Sequence, residues 1–486
     1  MKSLVVVAAI CVCVSSCAPA PRARPSTSEA DSPALVAARA LVAEVVPLAA
    51  ELIRTAPVNP PGGEGRVVRA LVERLRSEPG IVVETEQFGA PEHDRWNLLA
   101  RVPGRDPSAR PVVLVGHSDV VPAERADWSE GHAPFDGAIV HDRLVGRGAL
   151  DMLSMLALEA LTLIALARAD TPPSADVLLL VAGDEETAGE GMRAAMVTWG
   201  ERLSRARVAL NEGGFIVVDR VRPGTDAAFV SVAEKGFVHI ELVATGAAGH
   251  GSMPRDDDAP ARLARAIARV LVMPHPFRIT RESAATFAAL GRATGGVESV
   301  VLQSERLTEA LAKDRLESDP ETRAIVHDTC ALTVLDAGEK TNVIPTTARA
   351  RFDCRILPGT DPVLFFDEIL VAIDDPRVRA RVLASSRANG SPVDHPFLDV
   401  VSRALFASST KETVVVPLLS RGFTDSRFLR AKGVPTYGLV PVRVSKDDVA
   451  RMHGVDESVE TRALEEALPF LVRVVEGALA LDVESR

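Results

Sequence analysis

Residues 176–186 read DVLLLVAGDEE, an apolar run that ends in three neighbouring carboxylates. An uninterrupted apolar run of this kind predicts a strand that is buried on both faces, as strands of parallel sheets are. In such sheets, ligands bind beyond the carboxyl ends of the strands, which is where these acids fall. Because like charges packed together repel one another, we expect a partner of opposite charge at this position.

The flanking segments extend this strand into an α/β core. Residues 111–121 (PVVLVGHSDVV) form a second predicted buried strand, and residues 150–169 form a long apolar helix. Strands that alternate with helices predict a mixed, mostly parallel sheet flanked by helices. Between residues 234 and 373, half-exposed alternating strands and two helices instead predict a smaller α+β domain with an open sheet face.

The chain has 486 residues, which corresponds to roughly two or three domains. We predict a larger α/β domain built from residues 36–228 and 392–486, interrupted by the smaller domain at residues 229–391. The net charge of −11, without a basic run, argues against a nucleic-acid partner.

The N-terminus predicts export. Residues 1–17 have a charged start, an apolar stretch and small residues, as a secretory signal does. The run VSSC (14–17) resembles a bacterial lipobox, which implies cleavage before Cys17, lipid attachment and membrane contact only through that anchor. The alternative is an ordinary signal cleaved near Ala18 or Ala20, which gives a periplasmic or secreted protein. Residues 18–35 are predicted to be a flexible tether.

Only two cysteines lie beyond the predicted signal and its cleavage site, Cys330 and Cys354. We expect two buried thiols on strands. A disulfide in an oxidising compartment is the alternative, which the sequence leaves open.

Polar residues with metal-ligand chemistry recur after the apolar runs. His117 and Asp119 are two apart at a strand end, so both side chains share a face. A neutral imidazole binds zinc, and a nearby carboxylate orients it, although the pair could also lie in an ordinary polar turn. Asp151 follows a glycine-rich turn and opens the long helix, where it could equally be a helix cap.

Four further residues belong to the same pattern: Glu185, Glu186, Glu212 and His453. Each taken alone could be a surface acid or a loop histidine. Taken together, nitrogen and oxygen ligands without thiolates favour a hydrolytic site with one or two zinc ions. In two-metal hydrolysis, one carboxylate bridges the metals and another takes a proton from the attacking water.

The order of these segments resembles the co-catalytic zinc peptidase superfamily of aminoacylase, succinyl-diaminopimelate desuccinylase and glutamate carboxypeptidase. The resemblance covers nearly all of the mature chain and is closest to the carboxypeptidase S branch. The matching stretches are GHSDVVP, WSEGHAPFDG, LVGRGALDM, GDEETAGEG, NEGG, GHGSMP, TNVIP, DCRILPG, GFTDSRF and HGVDE.

This resemblance implies a role for each residue. It implies two zinc ions per chain, with cobalt or manganese as alternatives, and ligands His117, Asp151 and Glu212 for one ion and Asp151, Glu186 and His453 for the other. Asp151 would bridge the ions, Asp119 would orient His117, and Glu185 would be the general base and acid. The larger domain would be catalytic, and the inserted domain would be a lid through which a homodimer forms.

The resemblance also assigns residues of the inserted domain. His250 would steady the oxyanion, reaching the partner's active site as in dimeric relatives, and Asn342 and Arg355 would bind the substrate's carboxylate; a surface role is the alternative for the last two. Leu153, Asn211 and Gly183 differ from the residues usual at these positions in the family's motifs, but none is a predicted ligand.

The predicted function is hydrolysis, by a metal-activated water, of an amide next to a free carboxylate, in a small peptide or an N-acyl amino acid. An esterase or deacylase acting on a non-peptide substrate is one alternative. A solute-binding lipoprotein without catalysis is the other, and it disagrees with the presence of every predicted ligand and of the base.

Overall fold

The computed structural model describes residues 31–481. The predicted signal, Cys17 and most of the predicted tether therefore lie outside the described residues. The first helix begins at Pro33, so the last three tether positions, 33–35, are helical. Within the described part of the chain, no helix is both long and apolar enough to cross a membrane.

The strands are short in the first third of the chain and longer around its middle. In chain order they are β1 (Val82–Gln87), β2 (Trp96–Val102), β3 (Val112–His117), β4 (Ala138–Val140), β5 (Arg143–Val145), β6 (Val177–Ala182), β7 (Val208–Arg222), β8 (Thr225–Glu234), β9 (Gly236–Thr245), β10 (Gly249–His250), β11 (Thr329–Asp336), β12 (Val343–Ile344), β13 (Thr347–Ile356), β14 (Val378–Ser386), β15 (Asn389–Gly390), β16 (Glu412–Ser420), β17 (Thr436–Val444) and β18 (Ser458–Glu460).

The helices lie between groups of strands, and the longest run of consecutive helices is in the middle of the chain. They are α1 (Pro33–Arg54), α2 (Gly65–Arg76), α3 (Leu153–Arg168), α4 (Glu190–Thr198), α5 (Gly200–Ser204), α6 (Ala259–Leu271), α7 (Arg281–Thr294), α8 (Gly296–Leu302), α9 (Glu305–Ser318), α10 (Pro320–Ala324), α11 (Pro362–Ile373), α12 (Phe397–Ser408), α13 (Ser426–Arg430), α14 (Lys446–Ala450) and α15 (Thr461–Leu479).

The largest sheet has the strand order β1-β2-β6-β3-β7-β17-β8-β15, and β16 pairs with β8 beside this path. Its central strands β6, β3, β7 and β17 run parallel, whereas β1, β2 and β15 pair antiparallel at the edges. Strand β6 has every side chain buried because both faces of the sheet are covered. Leu179 packs toward α1, α3 and α15, and Leu178 and Leu180 pack toward α4, α5 and α13. The predicted fold class is confirmed.

A second sheet, in the order β11-β13-β9-β14, forms the inserted lid. All four strands pair antiparallel, as the alternating sequence predicts. One face packs on α6 and α11 through residues such as Leu242, Leu263 and Phe365. The opposite face carries charged side chains, among them Arg351 and Arg381 around Glu241.

Helices α7–α10 are an addition that the sequence patterns did not predict. Helix α7 packs on strand β16 of the large sheet, where Thr286 Oγ donates a hydrogen bond of 2.6 Å to the carbonyl of Pro417. Ala289 of α7 lies in one apolar cluster with Val416 of β16. This stretch therefore belongs with the large sheet in space, although it lies within residues 229–391 in sequence.

Cys330 and Cys354 form a disulfide, so the expectation of two separate thiols is wrong. The two residues face each other across the antiparallel pair β11–β13, which brings their Cα atoms to 4.0 Å. Strand pairing alone therefore places the two sulfur atoms within bonding reach. The disulfide joins an edge strand of the lid to its neighbour.

The disulfide closes a loop with a sequence separation of 24. Replacing both cysteines by alanine is expected to lower the free energy of unfolding by about 3 kcal/mol, because the unfolded chain regains the freedom of that loop. Denaturant unfolding of the oxidised protein and of the variant measures this difference. A reductant should destabilise the wild type and leave the variant unchanged. Equal unfolding of all four samples would contradict the pairing.

Candidate metal centre

The predicted ligands meet at the carboxyl edge of the parallel strands. His117 is the last residue of β3, and Glu185 and Glu186 follow the end of β6 beside it. Glu212 lies on β7 just beyond the segment of that strand that pairs with β3. Because these strands are parallel neighbours, their ends bring residues far apart in sequence into one place.

Asp151 joins the two histidines of the site. Its Oδ1 atom lies 2.9 Å from Nε2 of His117, and its Oδ2 atom lies 3.0 Å from Nε2 of His453. The carboxylate thus presents one oxygen to each imidazole. The alternative role as a helix cap is not what the structure shows, because the N-cap of α3 is Met152.

The glutamates complete two groups around this carboxylate. Oε1 of Glu186 lies 3.1 Å from Nε2 of His453, and Oε1 of Glu212 lies 3.6 Å from Nε2 of His117. Two groups of residues could each hold a metal ion, because the ligand atoms within each group lie within 4.8 Å of one another. The first group is His117, Asp151 and Glu186, and the second is His117, Glu185 and Glu212. The second group includes Glu185, which the resemblance implies to be the base rather than a ligand.

The electrostatics of the cluster call for a cation. Burial, together with the charge of Glu212, raises the pKa of Glu185 well above its usual range. Burial and the charge of Asp151 raise the pKa of Glu212 in the same way. Imidazole nitrogens and carboxylate oxygens without thiolates are the donors that zinc takes in hydrolytic sites, so these residues fit a bound metal.

The pKa values of the two histidines also reflect the negative charge of the cluster. Burial opposes the charged form of His117, but the neighbouring carboxylates of Asp119 and Asp151 outweigh it and raise its pKa well above the usual value. Hydrogen bonds to Asp151 and Glu186 raise the pKa of His453 to about 10. Metal ligation requires neutral imidazoles, so metal binding at these histidines would be coupled to the release of protons.

Asp119 holds the loop that carries the predicted base. Its Oδ1 atom accepts the backbone N–H of Glu185 at 3.0 Å, and its Oδ2 atom accepts that of Glu186 at 3.1 Å. The ring of His117 lies closer to the backbone carbonyl of Asp119, at 2.9 Å, than to its carboxylate, at 3.6 Å. The carboxylate of Asp119 thus lies beside the ring of His117 and fixes the backbone of both glutamates.

Asn59 and Arg95 support this loop, and the sequence patterns assigned neither. The amide nitrogen of Asn59 donates to Asp119 at 3.0 Å and to Asp184 at 2.8 Å. Arg95 lies 3.1 Å from Asp184 and donates to Oδ1 of Asn59 at 2.9 Å. Asp184 adopts φ 66°, and its carboxylate also accepts the N–H of Glu190 at 3.0 Å. The first acid of the opening triplet therefore shapes the turn that follows β6.

Glu457 and Arg147 hold the opposite side of the site. Oε1 of Glu457 accepts backbone N–H groups of Gly148, Leu150 and Asp151 at 3.1, 2.8 and 3.3 Å. Its other oxygen lies 2.6 Å from Arg147, whose guanidinium also donates to the carbonyl of His453 at 3.0 Å. This buried pair joins the loops that carry Asp151 and His453.

The remaining predicted residues lie on the lid. His250 is exposed on β10, and its ring bonds to Oγ of Ser252 at 2.8 Å. Asn342 is exposed beside it, and its carbonyl accepts the N–H of Gly251 at 2.9 Å. Arg355 lies on β13, where Asp353 accepts two hydrogen bonds from it, at 2.8 and 2.9 Å. No contact joins these three to the metal centre within the described residues of this chain.

The fold and the site define a metal-dependent hydrolase with an α/β catalytic domain and an inserted lid. The sequence model of peptidase family M20/M25/M40 matches residues 113–478, which is more than half of the chain. The chain belongs to this family, and the resemblance drawn from its motifs is confirmed.

Related proteins include carboxypeptidase S-like and acyl-amino-acid enzymes. N-fatty-acyl-amino acid synthase/hydrolase PM20D1 of Homo sapiens is 29% identical over 400 residues, which covers 79% of this chain and 77% of that protein. Probable carboxypeptidase S-like 2 of Dictyostelium discoideum is 27% identical over 389 residues, covering 79% and 74%. The M20 family metallo-carboxypeptidase Sso-CP2 of Sulfolobus solfataricus shares the fold, with a TM-score of 0.68 at 18% identity over 90% of this chain and 100% of that one.

The role of Glu457 can be tested through metal affinity. Glu457→Gln removes the charge that pairs with Arg147, so the loops of Asp151 and His453 lose a common anchor. We expect metal affinity to fall by about 10–100-fold, as measured by competition with a chelating indicator. Glu460→Gln is the control, because that side chain is 64% exposed. Unchanged affinity in a folded Glu457→Gln protein would contradict the assignment.

Proposed function

We propose that this protein is a zinc-dependent hydrolase that cleaves an amide next to a free carboxylate, in a C-terminal peptide bond or an N-acyl amino acid. The observation that carries the proposal is the placement of Asp151 between His117 and His453, one carboxylate oxygen toward each. A single carboxylate facing two sets of nitrogen and oxygen donors suits a pair of metal ions.

The residues of the chain divide the work of binding and proton transfer. His117, Asp151 and Glu212 would hold one zinc ion, and Asp151, Glu186 and His453 the other. When bound, the ions would polarise the scissile carbonyl, acidify water and lower the pKa values of the surrounding carboxylates. Glu185 then takes a proton from the attacking water and delivers it to the leaving nitrogen.

The preference for a free carboxylate rests on the lid and on the relatives. Arg355 lies on the lid, and Nη1 of its guanidinium is buried without a hydrogen-bond partner within residues 31–481. A guanidinium binds a carboxylate through parallel N–H donors. The two functions named for the relatives, acyl-amino-acid hydrolysis and carboxypeptidase activity, both concern an amide next to a carboxylate.

Glu185 and Glu186 should fail differently when substituted. Glu185→Gln is expected to keep two zinc ions per chain and to lose turnover by about 10²–10⁴-fold, because proton transfer is lost. Glu186→Gln is expected to lose zinc, because it removes a ligand. Elemental analysis and hydrolysis of N-acyl amino acids and dipeptides measure the two effects.

The matched control is Glu190→Gln, at the start of α4 just after the same turn, whose side chain is 54% exposed. It should retain both metal and turnover. Wild-type turnover in Glu185→Gln would remove its role as the base. An enzyme that hydrolyses esters but not the paired amides would favour the esterase alternative.

We also propose that the lid forms a homodimer and that His250 acts in the partner's site. His250 is exposed and its ring bonds to Ser252 rather than to the metal centre of its own chain. Helix α11 exposes Val363, Leu364 and Val371 on the outer side of the lid. An apolar surface of this kind is typical of a protein–protein contact.

The proposal predicts complementation between two inactive variants. His250→Ala and Glu185→Gln, each inactive alone, are expected to regain part of the activity when unfolded and refolded together, because mixed dimers contain one site with both residues intact. Sedimentation measures the dimer independently. A mixture as inactive as its parts, from a protein that is dimeric, would exclude action across the interface.

A further inference from the structure

Two arginines surround one phenylalanine at the junction of the lid and the catalytic domain. The guanidinium carbon of Arg355, on β13, lies 5.0 Å from the ring centroid of Phe423, and that of Arg427, on α13, lies 4.3 Å from it. Arg427 also lies 4.8 Å from the ring centroid of Phe428. Contact with two aromatic rings restricts the side chain of Arg427 and orients its planar group.

Each of these guanidinium groups has a buried donor that is not used. Nη1 of Arg355 and Nη1 of Arg427 are both buried without a hydrogen-bond partner in the part of the chain that the structure describes. The other nitrogens of Arg355 are engaged by Asp353. A buried charged donor without an acceptor destabilises the protein, so each of these donors would be satisfied by an acceptor that a ligand brings.

Arg427 lies against the loop that carries the predicted base. A Cβ atom at Gly189 would lie 2.8 Å from Nη2 of Arg427, so the absence of a side chain there makes room for the guanidinium. Gly189 follows Glu185 and Glu186 in the same turn. Arg427 thus lies beside the turn that follows the predicted base and shares the ring of Phe423 with the lid arginine.

The loop that presents Arg427 is held in place. Nδ2 of Asn211, one residue before Glu212, donates to Oγ of Ser426 at 3.0 Å and to Thr424 at 3.3 Å. Thr424 in turn donates to Glu234 at 2.6 Å. Asn211 differs from the residue usual at this position in the family's motif. Here its hydrogen bonds connect the strand of the predicted ligand Glu212 to the loop of Arg427.

We propose that Arg427 is a second carboxylate-binding residue, which together with Arg355 holds the free carboxylate of the substrate between the catalytic domain and the lid. The inference rests on the proposed function and adds the residue that sets its specificity. A carboxylate has two oxygens, each able to accept from a different guanidinium, and it carries the negative charge that a carboxamide lacks.

The test separates binding from turnover. The probe is a ketone analogue of an N-acyl amino acid in which CH2 replaces the amide NH, so the scissile bond is absent. Its partner probe is the same molecule with a carboxamide in place of the carboxylate. Calorimetry on the full zinc-loaded protein measures both affinities for the wild type, Arg427→Met and Arg193→Met. Arg193 is the matched control, because it also lies near Phe428, at 5.7 Å, but is exposed.

We expect Arg427→Met to weaken the carboxylate probe by at least about tenfold and the carboxamide probe by less than about threefold. Arg193→Met should change neither. Arg427→Lys, which keeps the charge without the fork, should lie between the wild type and Arg427→Met and serves as the variant if the methionine protein does not fold. In steady-state hydrolysis, the same substitution should raise KM for N-acyl amino acids more than it lowers kcat.

Equal weakening of both probes, or no weakening of either, would overturn the inference and leave Arg427 a stacking residue. A wild type that does not prefer the carboxylate probe would overturn it as well. A wild type that binds the carboxylate probe through Arg427 but hydrolyses no amide would instead remove the proposed function and keep this site.

Discussion

The buried carboxylates at the carboxyl edge of the sheet are the constraint on which the site depends. Glu185, Glu212 and Asp151 lie close enough that burial and mutual repulsion raise the pKa values of the two glutamates. Such a cluster persists only if positive charge offsets it, and two imidazoles on opposite sides of Asp151 mark where that charge belongs. Two divalent metal ions meet this requirement better than protons do, because they leave Glu185 able to accept a proton.

Two hydrogen-bonded supports hold the cluster in place. On one side, Asp119 fixes the backbone of both glutamates, and Asn59 and Arg95 connect it to Asp184. On the other, the buried pair of Glu457 and Arg147 joins the loops of Asp151 and His453. Each support consists of side chains on loops, whereas His117 and Glu212 lie on strands. The strands therefore set the positions, and the polar supports orient the residues of the turns.

Elements with a strong apolar pattern could be predicted from the sequence, because burial on one or both faces produces a regular spacing or an unbroken run of apolar residues. Strand β6, helix α3 and the lid strands β9 and β13 all lie where that pattern indicates. Helices α8 and α9 have few buried residues, so they leave a weak pattern, and α7 went unpredicted with them. The disulfide could not be assigned because strand register decides it, and register is not visible in one sequence.

The candidate ligands could be proposed from the sequence because each lies next to a glycine-marked turn, most follow an apolar run, and each stands in a family motif. Their supports could not. Asn59 lies in a stretch that reads only as a Pro-Gly loop, and its partner Asp184 is 125 residues away. Glu457 stands in a quoted motif, but its bond to the N–H of Leu150 spans 307 positions. Contacts of that range depend on the assembled topology rather than on local spacing.

The position of His453 has a consequence for how the protein is made. Asp151 and His453 are 302 residues apart, with the entire lid between them. A chain growing from its N-terminus contains the acids of the site long before the second histidine and Glu457 leave the ribosome. The catalytic domain can then begin to fold, but the predicted ligand His453 becomes available only after the whole lid has been synthesised. A chain that stops within the lid therefore lacks a complete set of predicted ligands, so the centre requires both segments of the catalytic domain.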